Sequence, residues 1–196
     1  MSKALSEKAL NVLFREARTV RTWLDTAVDD AVLKELYDLA KMGPTSANSC
    51  PLRVVFVKSE AAKIKLRTCL DTSNLNLDAP VTAILGMEIQ FYKELPRLFP
   101  QADAKAWFED LPEDVLETIA LRNSSLQAAY FMLAARALGL GCGPRSRFSH
   151  QRVDAAFFAD STIKSNFLCN LGYYDTKAID RSARPRLDFS DACVIV

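Results

Sequence analysis

Residues 121–144 read LRNSSLQAAYFMLAARALGLGCGP. With the residues before it, from Glu113 to Leu138, this stretch carries apolar side chains at helical spacing, Val115, Ile119, Leu126, Tyr130, Leu133 and Ala137. The spacing predicts the longest helix of the chain, ended at Gly139–Pro144 because glycine suits the left-handed position after a helix. Leu121, Ala128, Ala129, Phe131, Met132 and Ala134 lie off that stripe. The helix is therefore apolar over more than one face and needs cover nearly all round. In a chain of 196 residues a second subunit is a natural cover.

Residues 4–17 read as a helix with Leu5, Leu10, Leu13, Phe14 and Ala17 on one face, and Asp29 or Asp30 caps a second helix running to about Lys41. RVVFV (53–57) and VTAILGM (81–87) read as buried strands, and FLCNLGY (167–173) as a third. Between them SEAAKIKLRTCL (59–70) reads as a helix capped by Ser59, and Ser149 caps another. Residues 88–99 and 103–109 are short aromatic-rich segments broken at Pro96 and Pro100. Helices outweigh strands, so the class is α+β or α/β, with helices around one small sheet. One domain over 1–196, with N- and C-terminal arms, fits the length.

Twenty-five basic and 24 acidic side chains give a net charge of +1, which argues against nucleic acid or a membrane surface as the main partner. Five cysteines, with no CxxC pair, speak against a disulfide framework or a zinc knuckle. One histidine, His150, makes a histidine-rich metal site or a Ser-His pair a poor expectation, and we read it as a first-turn helix residue. The N-terminus lacks the apolar core of a secretory signal, and no run approaches the ~20 apolar residues of a membrane span. The expectation is a reduced, cytoplasmic protein without metal.

Four stretches could carry chemistry. In ARTVRTW (17–23), Arg18 and Arg21 flank the hydroxyl of Thr19, two charges and a neutral donor suited to a phosphate; a solvated turn with Trp23 tucked inward is the alternative. In GPTSANSCP (43–51), Ser46 and Asn48 sit on a backbone constrained by Pro44 and Pro51, which a simple cap and turn would also explain. Cys50 reads as a small buried filler. In GCGPRSRF (141–148), two glycines would let backbone approach a flat ligand, with Arg145 and Arg147 adding charge, although GxGxxG is absent. In ARPRL (183–187), Arg184 and Arg186 point to one side if the chain is extended. Asn74 and Asn76 are weaker candidates, amides ahead of a strand. No motif supplies an active base, so the chemistry must come from something bound.

The order of these pieces resembles the nitroreductase family of flavin enzymes. Arg18-Thr19-Val20-Arg21-Thr22-Trp23 is similar to its Arg-Ser-x-Arg with a following aromatic, and Pro44–Leu52 to its Pro-Ser-Ser-x-Asn-x-Gln-Pro loop. Leu138–Gly141 matches its Leu-Gly-Leu-Gly, Pro144–Phe148 its Pro-x-x-Gly-Phe, and Arg184 with Arg186 its late basic pair. Cys50 stands where many relatives have glutamine, and Arg147 replaces the usual glycine. The GPTSAN loop, LPRLFP (95–100), RNSSLQAAYFMLAARALGLGCGP and VDAAFFADSTIKSNFLCNLGY resemble the subgroup containing malonic semialdehyde reductase of pyrimidine utilisation.

The resemblance implies a nitroreductase-like fold in an arm-exchanged homodimer with FMN at the subunit interface. It implies that Arg18, Thr19, Arg21, Arg184 and Arg186 hold the phosphate and ribityl chain. Pro44, Ser46 and Asn48 would come from the second subunit to line the isoalloxazine, and Asn74 would meet its pyrimidine edge. The backbone of Pro144, Arg145 and Ser146 would flank the reactive nitrogen. By charge alone, and apart from the resemblance, Arg145 or Arg147 could attract a substrate carboxylate, with Arg147 the candidate substrate residue. NADH or NADPH would supply hydride, and a small carbonyl, nitro compound or quinone would accept it; no side chain is assigned a catalytic proton transfer. Reductive dehalogenation, a flavin-storing or flavin-sensing module without turnover, and a plain dimerising domain are the alternatives.

Overall fold

Apolar runs flanked by turn residues become strands here, and the sheet they form is covered on both faces. A computed structural model describes residues 3–71, 77–179, 182 and 184–196. Its strands are β1 (Leu52–Val57), β2 (Val81–Glu88), β3 (Gly141–Arg145) and β4 (Ile163–Gly172). They form one antiparallel sheet in the order β1-β2-β4-β3, with Val55 opposite Ile84, Ile84 opposite Leu168, and Pro144 opposite Cys169. Asn74 and Asn76 lie outside the described residues.

Alternation along the strands sorts side chains into two cores. Val54, Phe56, Ala83, Leu85 and Leu171 face α2 (Asp30–Ala40) and α5 (Glu113–Ala137), where Phe56 stacks on Phe131 with ring centroids 6.1 Å apart. Val55, Val57, Ile84 and Leu168 face α3 (Glu60–Arg67) and α6 (His150–Phe157). Each fully buried branched side chain such as Ile84 or Leu168 contributes roughly 1.5–3 kcal/mol. A third cluster around Phe91 and Leu116 packs the end of β2 and the turn after it, which leads into the short α4 (Leu95–Leu98), against the start of α5. The α+β class holds, and the cysteines among the described residues are free.

Caps follow the sequence closely. Ser59 Oγ accepts from Ala62 N–H at 3.2 Å, and Ser149 Oγ from Arg152 N–H at 3.3 Å. The N-terminal helix is shorter than expected: α1 (Glu7–Leu10), capped by Ser6, runs into a π-turn over Asn11–Arg15, and Leu5 and Phe14 remain exposed. Near the other end, α7 (Phe189–Ala192) is a single turn within an exposed arm.

Two segments differ from a plain reading of the apolar pattern. The first is α5, where Val115, Leu126 and Tyr130 are exposed within the protomer while Ala120, Asn123, Ser124, Gln127, Ala128 and Phe131 face inward. The face packed within the protomer is built from small and polar residues, and the apolar stripe lies beside it. The second is GCGPR, expected as a loop open to a ligand, which is an edge strand whose glycines admit the chain itself. Val20 N–H donates to Cys142 O at 2.9 Å, and Thr19 bridges Cys142 in parallel. A Cβ on Gly143 would lie 2.7 Å from Val20 O and 3.3 Å from the Trp23 ring. Only a bare backbone allows the Thr19–Trp23 segment to lie this close.

The Gly143→Ala variant is accordingly expected to lose about 1–3 kcal/mol of stability in thermal or denaturant unfolding. Its new methyl meets a main-chain oxygen that cannot retreat without stretching the Val20–Cys142 bond. A loss below about 0.5 kcal/mol would show that the segment shifts freely.

Candidate functional site

The segment fastened to β3 carries Thr19 and Arg21 beside residues 143–147. Together with Val20 and Asn170 they line a cavity of about 480 Å³, so Thr19, Arg21, Pro144, Arg145, Ser146 and Arg147 share one site. No aspartate or glutamate is among these described lining residues. Burial pushes the Arg145 guanidinium below its ordinary value, the mark of a cation partly withdrawn from water. In such surroundings its attraction for an anion is stronger than on an open surface. The site can therefore hold an anionic group on two kinds of donor, guanidinium and hydroxyl.

Asn170 escapes a reading of the sequence. It sits in β4 at 6% exposure and its Oδ1 accepts from Thr82 Oγ1 at 2.8 Å. The available signal was one amide inside the apolar run FLCNLGY.

The GPTSANSCP loop opens on a different and larger groove, about 1360 Å³, which Pro44, Asn48 and Cys50 line with α2, β1 and the 94–98 segment. Its backbone is unusual. Ala47, Asn48 and Cys50 have φ of 50°, 52° and 41°, the left-handed region that costs a residue with a Cβ roughly 1–2 kcal/mol. Side chains hold it there. Ser46 N–H donates to Asn123 Oδ1 at 2.8 Å and Leu52 N–H to Gln127 Oε1 at 3.0 Å. Cys50 N–H donates to Thr45 Oγ1 at 3.1 Å, and Asn48 Nδ2 to Leu98 O at 2.9 Å. Cys50, expected as a buried filler, is half-buried, and its Sγ donates to Asn48 Oδ1 at 3.3 Å.

The other expected residues stand elsewhere. Ser46 is exposed in the loop and lines neither cavity. Arg18 lines a neighbouring cavity of about 200 Å³ with Arg136 and Tyr174, and its Nη1 donates to Arg15 O and Ala17 O, both at 2.9 Å. Arg184 and Arg186 lie on the exposed C-terminal arm, Arg186 Nη1 donating to Arg184 O at 2.9 Å, and neither lines the cavity of Arg21. His150 opens α6 with Nδ1 3.0 Å from Ser165 O, a first-turn residue as expected. Among the described residues no cluster of histidine, cysteine or carboxylate could hold a metal, and no helix is long and apolar enough to cross a membrane.

The order of these parts, from the Thr19–Arg21 segment to the end of β4, has a counterpart in known proteins. The sequence profile of the nitroreductase family matches residues 14–173. The chain belongs to the nitroreductase family. It is 50% identical over 198 residues to a protein of Polynucleobacter asymbioticus, each chain covered in full. It is 54% identical over 189 residues to one of Burkholderia lata, covering 95% of this chain and 96% of the relative. Both relatives carry the provisional name NADH dehydrogenase/NAD(P)H nitroreductase. Among solved structures, a provisional nitroreductase of Bacillus subtilis superposes with a TM-score of 0.87 at 19% identity, over 97% of this chain and 100% of that one. A provisional nitroreductase of Exiguobacterium sibiricum, solved in complex with FMN, superposes with a TM-score of 0.83 at 18% identity over the whole of both chains. At such identities the likeness establishes a shared fold, and the nitroreductase-like fold expected from the sequence is the one observed.

Backbone strain in the family's loop is open to test at Ala47, whose ψ is 30°. Ala47→Val is expected to lower stability by about 1–2 kcal/mol, because a β-branched side chain tolerates the left-handed region worst. Ala47→Gly is expected to be at least as stable as the parent in the same unfolding measurement. Equal stability of all three would mean the loop relaxes out of this conformation.

Proposed function

We propose that this chain is an FMN-dependent NAD(P)H oxidoreductase working as a homodimer. The observation that carries the reading is the 480 Å³ cavity in which Thr19, Arg21, Arg145, Ser146 and Arg147 converge without a carboxylate among its described lining residues. Its size falls within the roughly 300–1,000 Å³ of small-molecule sites. Its donors suit a phosphomonoester joined to a polar chain and a flat heterocycle. Arg21 and Thr19 would hold the phosphate, joined on the family pattern by Arg18 and, from the arm, Arg184 and Arg186. Pro144, Arg145 and Ser146 would border the ring, with Asn74 as a further family-pattern contact.

Within one protomer the Pro44–Cys50 loop opens on a separate groove. This supports a site completed across two copies, in which Pro44, Ser46 and Asn48 of the partner subunit close the flavin face. The exposed Leu126 and Tyr130 of α5 supply an apolar surface for such a pairing.

FMN bound there supplies two-electron transfer through N5 between a nicotinamide donor and an acceptor. The protein's part is to orient both and to hold charge, which agrees with the lack of an assigned acid–base side chain. The finer assignment is a small carbonyl acceptor bearing a carboxylate, such as malonic semialdehyde reduced to 3-hydroxypropionate. It is supported by the resemblance of residues 122–144 and 153–173 to that subgroup, and by Arg147 in the lining of the cavity.

Purified protein is expected to show the visible bands of oxidised flavin and to lose them on anaerobic addition of NADH or NADPH. Colourless protein that gains no bound absorbance from added FMN would end this reading. Arg21→Ala is expected to weaken FMN binding about tenfold to a hundredfold by titration, the loss of a hydrogen bond to a charged group. Arg147→Ala is expected to lose preference for an aldehyde acid over its ester in kcat/KM, and unchanged preference would remove the carboxylate role.

A further inference from the structure

The GPTSANSCP loop holds its backbone only in part with its own groups, as in the Cys50 N–H bond to Thr45 Oγ1. Three of its residues lie at positive φ, and its first and last segments are tied to one helix by side-chain amides. Asn123 and Gln127 stand four apart on α5, so both project from one face, and they reach Ser46 N–H and Leu52 N–H. These amides are 3% and 2% exposed, a placement that is costly unless their polar atoms are satisfied. Asn123 Nδ2 donates to Ile119 O at 2.9 Å, which fixes the direction in which Oδ1 points. In the adjacent row of the same helical turns stand the half-exposed Leu126 and Tyr130. A Cβ on Gly43, where the loop begins, would stand 3.0 Å from the Tyr130 ring.

We propose that Asn123 and Gln127 are positioning residues for the cofactor site. They act through the loop, holding Ser46 and Asn48 in the arrangement that a bound flavin meets, and they make that arrangement depend on how α5 is seated. The binding half of this proposal rests on the flavin reading above; the mechanical half does not. A helix that used these amides only for packing would be indifferent to which atom faces the loop. A positioning role requires an acceptor there.

The test uses full-length protein and two pairs of variants. Asn123→Leu and Gln127→Met remove the acceptor at similar volume, whereas Asn123→Asp and Gln127→Glu, compared at acid pH where burial keeps the carboxyl neutral, preserve a C=O acceptor and one donor at nearly the same volume. Amide hydrogen exchange at Ser46 and Leu52 is followed in flavin-free protein, and FMN Kd by titration. In Asn123→Leu, Ser46 is expected to exchange about tenfold faster and FMN Kd to rise about tenfold, the scale of one lost hydrogen bond. Asn123→Asp is expected to restore both, and Gln127→Met with Gln127→Glu to show the same contrast at Leu52.

Unchanged exchange in the acceptor-free variants would overturn the clamp. Faster exchange with unchanged FMN Kd would overturn its role in binding while leaving the flavin reading intact. Conservative variants as impaired as the apolar ones would reduce both amides to packing. If Asn123→Leu fails to fold, the Gln127 pair decides. A parent that binds no FMN refutes the flavin reading and with it the binding half, and the exchange contrast still decides the clamp.

Discussion

A backbone hydrogen bond from Val20 N–H to Cys142 O, 2.9 Å long, joins the N-terminal segment to β3 and so assembles the candidate site. Thr19 and Arg21 come from one extreme of the chain and Pro144–Arg147 from beyond α5. Nothing local holds them together. Closing so long a loop has an entropic cost, but that cost grows slowly with length, and the buried sheet that positions β3 has already met most of it. Gly143 makes the junction sterically open, and the Leu24 N–H bond to Tyr173 O, also 2.9 Å, fixes its far end. The cavity is thus a by-product of seating an irregular segment against a sheet edge.

The helix α5 divides its labour by face. Its inward side carries Ala128, Phe131 and Ala135 toward the β-sheet, and Asn123 and Gln127 toward the 43–51 loop. The row beside those amides carries the half-exposed Leu126 and Tyr130. Two buried amides in such a helix would be a liability in an ordinary core. Here each finds a backbone donor, and a loop with three left-handed residues keeps a defined shape. Rigid support under a conformationally costly loop is what a recognition surface requires.

Strands β1 and β2 were legible in RVVFV and VTAILGM because continuous β-branched and aliphatic runs are required of a sheet covered on both faces. Ser59 and Ser149 were legible as caps for an equally local reason. Strand β3 was not, since Gly-Cys-Gly-Pro has neither strand propensity nor a full set of N–H donors; its extension is imposed by β4 on one side and Val20 on the other. The inward face of α5 was not singled out because its essential members include Asn123, Ser124 and Gln127, which an apolar count passes over. In the site, residue types at Thr19, Arg21 and Arg145 announced themselves by charge and order. Asn170 did not, and the separation of the two cavities within one protomer is a property of three-dimensional arrangement that no spacing in the sequence encodes.

The docking of Thr19 and Val20 on β3 also shields the molecule from itself. A bare outer strand offers unpaired donors and acceptors to any extended peptide, a familiar route to aggregation. Here that rim is occupied by the chain's own residues, and Pro144 leaves one fewer donor to satisfy. Colloidal behaviour and the shape of the candidate site are thereby tied to the same few atoms, so this stretch has little freedom to drift for the sake of either one alone.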